Sequence, residues 1–161
     1  MTIVELDESV ISKRKYSRGR LMKEQWVFGG IQRAISGVKP FFMEMVPNRT
    51  AMTLLEVIKR RIATGTTIMT DGWRSYGTIS RHNGYTHFVV NNSVNFVDQT
   101  GRNVHTQNVE NQWKHLKTWL RRKGTNLGQN INDYLLEYVF KKKSADIFDA
   151  ILHLLALKVL E

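Results

Sequence analysis

The spacing of apolar and polar residues predicts that the chain opens with a short strand. Over residues 2–7, Val4 and Leu6 fall on one side, while Glu5 and Asp7 fall on the other with Ile3. This alternation is typical of a strand with one apolar face. We expect Asp7 to lie at its C-terminal tip and the following Glu8 to face solvent.

The rest of the pattern predicts four more strands and several helices. Strands are predicted over residues 25–33, 39–46, 66–70 and 85–90, with a turn at Ser36-Gly37. Helical segments are predicted over residues 50–62, 73–79, 108–122, 131–140 and 145–160, and a loop over 91–106. Because one helix separates the third strand from the fourth, we expect a crossover connection and a partly parallel α/β sheet with helices packed on it.

Charge and composition then narrow the class of partner. The 161 residues carry 24 Lys and Arg against 14 Asp and Glu, a formal charge of +10. Such an excess favours a polyanionic partner, and nucleic acid is the first choice over an anionic membrane. The sequence contains no cysteine, which excludes disulfides, thiol catalysis and cysteine-ligated metals. We expect an intracellular protein with no membrane span and no small-molecule cofactor.

Three acids stand where predicted elements end or begin. Asp7 and Asp71 close two strands, and Glu110 lies at the start of the helix predicted over 108–122. Ligand sites in open α/β sheets gather at the carboxyl ends of strands, and tips of adjacent parallel strands lie about 5 Å apart. Carboxylates in a basic protein predict a site for two Mg²⁺ or Mn²⁺ ions facing phosphates. Glu5, Glu8 and Asp98 remain alternatives, since a single acid at a strand end is usually a solvated turn residue.

Cations near these acids are candidates for contact with DNA phosphates. Lys117 follows Glu110 by seven residues, about 10 Å along a helix, although a lysine there could equally be a solvated surface residue. The candidate DNA-binding residues are Lys13, Arg14, Lys15, Arg18, Arg20, Lys114, Lys117 and Arg121. Trp113 is expected in the core, and Trp73 is expected to pack rather than to stack on a base.

Six segments of the sequence resemble the motifs of one family of enzymes, both in their residues and in their order along the chain. They are VELDES (4–9), KRKY (13–16), QWVFGG (25–30), TDGW (70–73), NFVD (95–98) and HTQNVENQW (105–113). Together they resemble the DDE transposases of the Merlin superfamily and related bacterial insertion-sequence transposases. The resemblance runs through nearly the whole chain.

The resemblance implies an RNase H-like catalytic domain with a mixed five-stranded sheet and flanking helices. By motif, Asp7, Asp71 and Glu110 are its metal-binding and catalytic acids, with Lys117 as the lysine after the glutamate. The sequence at 105–108 departs from the family's usual His-Thr-Asn, which leaves His105 and Asn108 as reserve candidates beside Glu5. The implied activity is Mg²⁺-dependent cleavage of double-stranded DNA at transposon ends and joining to target DNA.

The same resemblance predicts how the chain is organised. The catalytic core is expected over about residues 1–123 and C-terminal helices over about 124–161. Action on two DNA ends predicts a homodimer or larger assembly. Relatives commonly carry an N-terminal DNA-recognition region, so the chain is expected to be an isolated core from either a bacterium or a eukaryotic nucleus.

Two other functions are compatible with the sequence. One is a non-catalytic or domesticated DNA-binding protein that binds by charge alone. The other is a structure-selective nuclease with the same fold. Joining of DNA ends to a second DNA would distinguish a transposase from both.

Overall fold

The computed structural model describes residues 2–12, 24–33, 37, 39–81, 84–90, 106–124, 130–144, 148 and 150–151. Within these ranges the strands are β1 (Ile3–Ser12), β2 (Gln25–Gln32), β3 (Phe41–Val46), β4 (Thr67–Thr70) and β5 (Thr86–Val89). The helices are α1 (Ala51–Arg61), a 3₁₀ helix (Arg74–Arg81), α2 (Gln107–Arg122) and α3 (Ile131–Lys143). The predicted strands are therefore confirmed, with ends shifted by a few residues. The helical segments predicted over 50–62, 73–79, 108–122 and 131–140 are confirmed as well.

The strands form one mixed sheet in the order β3-β2-β1-β4-β5. β1, β2 and β3 pair antiparallel, whereas β4 pairs parallel with both β1 and β5. The predicted crossover and partly parallel sheet are confirmed. β1 is the central strand, and its pairing with β4 covers only Ile3 to Glu5.

The sequence predicts Asp7 at the C-terminal tip of its strand, and this prediction is wrong. β1 continues to Ser12 because it stays paired with β2 well past this residue, with Asp7 opposite Gly29. Asp7 instead lies just past the last paired residue of the short parallel ladder with β4. What ends near Asp7 is the pairing of β1 with β4, whereas the strand itself continues.

One face of the sheet packs on α1 and the 3₁₀ helix. The buried cluster there contains Val4, Leu6, Phe28, Val46, Leu54, Val57, Ile58, Ile62, Ile68, Tyr76 and Ile79. Helix α1 begins as predicted, since Thr50 accepts a hydrogen bond from the Thr53 amide at 3.4 Å and acts as an N-cap. It ends before Gly65, whose φ of +83° suits a residue without a side chain.

The chain divides into two compact units, residues 1–118 and 119–161. In the second unit, Trp119 packs against Tyr134 and Tyr138, with ring centroids 6.4 and 5.5 Å away. Lys123 lies over Trp119 and bonds Glu137 at 3.0 Å. The helix predicted over 145–160 falls largely outside the described residues, and the end of the catalytic core near residue 123 stays a prediction. No helix among the described residues is long and apolar enough to cross a membrane.

Candidate functional site

Asp7 and Asp71 lie side by side where β1 and β4 separate. The parallel ladder pairs Glu5 with Met69, and each aspartate comes two residues later on its own strand. Adjacent strands lie about 5 Å apart, which brings the two acids within reach of each other. The adjacency predicted from the sequence is therefore what the sheet produces.

Asp7 is held by two hydrogen bonds. The Glu8 amide donates to its Oδ1 at 2.9 Å, and the Trp113 indole N–H donates to its Oδ2 at 2.8 Å. Burial raises the pKa of Asp7 to about 7, and the nearby Glu8 and Asp71 carboxylates raise the pKa as well, whereas the Trp113 hydrogen bond lowers it. Two hydrogen bonds thus fix the orientation of the Asp7 carboxyl, and no cation is among the groups that shift its pKa.

Trp113 reaches Asp7 because the residue opposite Asp7 has no side chain. A Cβ atom on Gly29 would lie 2.7 Å from Trp113 Cη2 and 3.0 Å from the Phe42 carbonyl oxygen. The indole therefore lies directly against the backbone of β2. This contact explains why a glycine is needed at position 29 of the QWVFGG segment. Trp113 is 5% exposed, which confirms the prediction that it is a core residue.

Asp71 is held by its own turn and supported from the neighbouring strand. Its Oδ1 accepts from the Trp73 amide at 3.0 Å, and its carbonyl oxygen accepts from the Thr70 hydroxyl at 2.9 Å. Thr70 also bonds His87 Nε2 at 2.8 Å, and Ser80 bonds His87 Nδ1 at 2.9 Å. Since the Thr70 proton goes to Asp71, His87 Nε2 must be the donor in that pair.

The sequence predicts that Glu8 faces solvent, and this prediction is wrong. Its side chain is 4% exposed and does not face solvent, because β1 continues past it and Tyr76 covers it. The Tyr76 hydroxyl donates to its Oε2, and Arg49 Nη1 lies 3.6 Å from its Oε1. Burial raises the pKa of Glu8, and the Asp71 carboxylate adds to the rise. Asp7, Glu8 and Asp71 therefore form a cluster of acids, the acid cluster, in which Glu8 lies on the opposite face of β1 from Asp7.

Glu5, a reserve candidate, is buried and used as a helix cap. Its Oε2 accepts from the amides of Asn108 and Val109 at 2.9 and 3.3 Å, and its Oε1 accepts from the Asn108 side chain and Arg33 Nε, each at 2.6 Å. These amides are in the first turn of α2, where an N-cap side chain usually accepts. Asn108, another reserve candidate, also accepts from Lys39 at 2.8 Å. Both residues are thus engaged with each other.

Glu110 lies in the first turn of α2 and accepts from the Thr106 hydroxyl at 2.9 Å. Trp113 follows it by one helical turn, so their side chains are neighbours on the helix surface. Within the described ranges, no three His, Asp or Glu side chains are arranged as a group that could hold a metal ion. The structure thus places Asp7 and Asp71 on adjacent strands, and Glu110 on the helix whose Trp113 contacts Asp7.

The donor chemistry of the two aspartates fits a divalent cation. Carboxylate oxygens are the ligands preferred by Mg²⁺ and Mn²⁺, and a cation would offset the mutual repulsion of the two partly buried acids. Of the candidate cations, Lys114 and Lys117 are exposed on α2, and Arg121 is exposed in the second unit. His105, the loop containing Asp98, and Lys13, Arg14, Lys15, Arg18 and Arg20 lie outside the described residues.

Trp73 packs against the buried cluster around α1, as predicted, and the Arg49 guanidinium lies over its ring. No pattern in the sequence indicates the partners of Glu5 and Glu8. Their contacts join residues 103 and 68 positions apart, which no local pattern reports.

Comparison with known proteins bears on the fold and the family of the chain. The catalytic core domain of BIV integrase superimposes with a TM-score of 0.52 at 13% identity, covering 98% of this chain and 97% of that chain. The fold is therefore RNase H-like, as the motifs implied. An uncharacterized transposase-like protein of Haemophilus influenzae is 25% identical over 103 residues, which cover 64% of this chain and 80% of that protein.

The sequence also matches the ISXO2-like transposase domain over residues 3–142. That range contains all five strands and the three acids Asp7, Asp71 and Glu110. The resemblance to insertion-sequence transposases is confirmed, and the chain belongs to the ISXO2-like transposase domain family.

Proposed function

We propose that this protein is a DNA transposase that cleaves DNA at transposon ends and joins the freed ends to target DNA, with divalent metal ions. The observation that carries the proposal is the pair Asp7 and Asp71, adjacent where β1 and β4 part, in a chain of a transposase family. The two carboxylates interact, since after burial the charge of Asp71 is among the causes that raise the pKa of Asp7.

Asp7, Asp71 and Glu110 would hold Mg²⁺ or Mn²⁺. When bound, two such ions supply activation of the attacking hydroxyl and stabilisation of the leaving oxygen in displacement at phosphorus. Among the protein's own groups, Trp113 and the Glu8 amide orient the Asp7 carboxylate. The Trp73 amide orients Asp71, and Thr106 orients Glu110. Carboxylates fixed in this way need little reorganisation when substrate arrives.

The placement of Glu110 depends on Glu5. By capping α2 from β1, Glu5 sets the distance between the first turn of the helix and the strand that carries Asp7. Glu5 and Asn108 therefore act as positioning residues in this proposal, and not as ligands. The partner is double-stranded DNA, and we propose that Lys114, Lys117, Arg121 and the basic segment 13–20 contact its phosphates.

The decisive experiment measures cleavage of a labelled transposon-end duplex during titration with Mg²⁺ or Mn²⁺. Asp71→Asn keeps the size of the side chain and should abolish metal-dependent cleavage while the fold persists by circular dichroism. Asp133→Asn is the matched control, because Asp133 is an exposed acid at the start of α3. Full cleavage by Asp71→Asn would refute the assignment.

The products separate the remaining possibilities. Joining of the labelled strand to a second DNA supports a transposase, whereas cleavage without joining indicates a structure-selective nuclease. Binding of DNA in EDTA, with no cleavage under any metal, indicates a protein that only binds DNA.

A further inference from the structure

Arg49 lies at the edge of the acid cluster, in contact with two tryptophans. Its guanidinium carbon is 4.4 Å from the centre of the Trp26 ring and 3.9 Å from the centre of the Trp73 ring. Both distances are well inside the range of a cation–π interaction. Two aromatic rings therefore hold the guanidinium of Arg49 in place.

The backbone that carries Arg49 is also fixed. Its carbonyl oxygen accepts from the Ser75 hydroxyl at 2.9 Å, which ties the segment before α1 to the 3₁₀ helix. On the other side, Asn48 Oδ1 accepts from the Thr50 amide at 3.1 Å and from the Thr53 hydroxyl at 2.8 Å. A long side chain held at its backbone and at its ring contacts has lost most of its freedom before any ligand binds.

Arg49 pairs with Glu8, whose pKa it lowers. Among the described residues, the acid nearest to its N–H groups is Glu8, whose Oε1 is 3.6 Å from Nη1, which is longer than a hydrogen bond. The Arg49 side chain is 38% exposed. A guanidinium carries five N–H donors in a planar fork that matches the oxygens of a phosphate. A partly exposed guanidinium with five donors can therefore bind a phosphate as well as Glu8.

Arg49 is close to the two aspartates through Glu8. The Glu8 carboxylate interacts with Arg49 on one side and feels the charge of Asp71 on the other. A nucleic-acid strand that places a phosphate at Asp7 and Asp71 would carry its neighbouring phosphates past this position. In a chain of net charge +10, such a strand is the anion that the surface attracts.

Resting on the proposed function, we propose that Arg49, held by Trp26 and Trp73, binds a backbone phosphate of the DNA strand next to the acid cluster. The aromatic contacts set the direction of the guanidinium, and the phosphate replaces the loose contact with Glu8. This gives the site a fixed cation on the side of β1 opposite to Asp7. The alternative is that Arg49 only packs between core residues and stabilises the fold.

The test is DNA binding in EDTA over a series of salt concentrations, which needs no cleavage. Arg49→Gln should weaken binding roughly tenfold and lower the slope of log affinity against log salt by about 1, as expected for one lost phosphate contact. Arg49→Lys keeps the charge without the planar fork, so its DNA affinity should fall between those of the wild type and Arg49→Gln. Arg60→Gln is the matched control, because it removes the same charge from an arginine paired with Glu44 at the surface.

A second measurement covers the case in which Arg49→Gln disturbs packing. Glu8→Gln releases the Arg49 guanidinium and should tighten DNA binding, and the tightening should disappear in the double variant with Arg49→Gln. Equal loss of slope in Arg49→Gln and Arg60→Gln, or equal tightening by Glu8→Gln in both backgrounds, would overturn the inference. In that case cleavage by the wild-type chain would still support the transposase. A wild-type chain that binds no DNA would refute both.

Discussion

Trp113 donates its indole N–H to Asp7 Oδ2 at 2.8 Å and thereby joins α2 directly to the central strand. The bond links the helix that carries Glu110 to the strand that carries Asp7. It requires the indole to lie against a backbone with no side chain, which Gly29 provides. The orientation of Asp7 is therefore a consequence of packing between α2 and one face of the sheet.

Gly29→Ala should damage both stability and the site. The added Cβ would lie 2.7 Å from Trp113, so the indole must shift, and overpacking of this kind costs about 1–3 kcal/mol. Urea unfolding should show the loss, and the fluorescence of Trp113 should change. Gly77→Ala is the control, since no atom lies within 4 Å of the position of its Cβ. Equal stability of the two variants would contradict the packing described for Trp113.

Glu5→Ala should be far more costly than loss of a surface acid. Four donors would lose their acceptor, including Arg33, and breaking a buried pair of this kind costs about 3–5 kcal/mol. Glu44→Ala breaks two surface ion pairs, with Arg60 and Arg61, each worth about 0–1 kcal/mol. Denaturant unfolding measures the difference.

Hydrogen exchange tests where the effect of Glu5 acts. In Glu5→Ala, the amides of Asn108 and Val109 should lose protection, because the carboxylate is their acceptor. Unchanged protection of both amides would show that the helix finds another cap.

His87 should make the stability of the fold depend on pH. Burial lowers the pKa of His87 below its ordinary 6.5, so the unfolded chain takes up a proton more readily than the folded chain. The stabilisation is complete above pH 6.5 and is lost as the pH falls through the lowered pKa. His87→Gln should flatten this part of the curve of unfolding free energy against pH. His115→Gln, at an exposed position on α2, should leave it in place, and parallel curves for wild type and His87→Gln would exclude the effect.

Divalent metal should stabilise the wild-type chain without any DNA present. A ligand that binds only the folded state adds about 2.7 kcal/mol when its free concentration is 100 times Kd. The midpoint of thermal unfolding should therefore rise with Mg²⁺ or Mn²⁺. Asp71→Asn should show little of this rise, whereas Asp133→Asn should show all of it. A rise of the same size in Asp71→Asn would place the bound metal elsewhere.

Much of the fold could be predicted because its signals are local. Thr50 caps α1 from the adjacent residue, and Gly65 ends the connection with a positive φ, so neither needs knowledge of distant residues. The adjacency of Asp7 and Asp71 followed from one further step, the rule that a crossover makes strands parallel.

Contacts between distant residues explain what the sequence missed. Glu8 was expected in solvent because it points to the other side of the strand from Glu5 and Asp7, and β1 was predicted to end at Asp7. Whether a strand stops is decided by its partner, and β2 extends the pairing to Ser12. Glu5 likewise appeared as a spare ligand, since a carboxylate on a strand gives no sign of a helix amide 103 residues away.

The cap on α2 also bears on the order in which the molecule assembles. Bringing Glu5 to residues 108 and 109 closes a long loop, whose entropic cost must be met before the contact gives any return. The beginning of α2 is consequently completed late, after the central strand has formed. During synthesis on the ribosome, the first turn of α2 can meet Glu5 only once most of the polypeptide has emerged, so unfinished chains lack this cap.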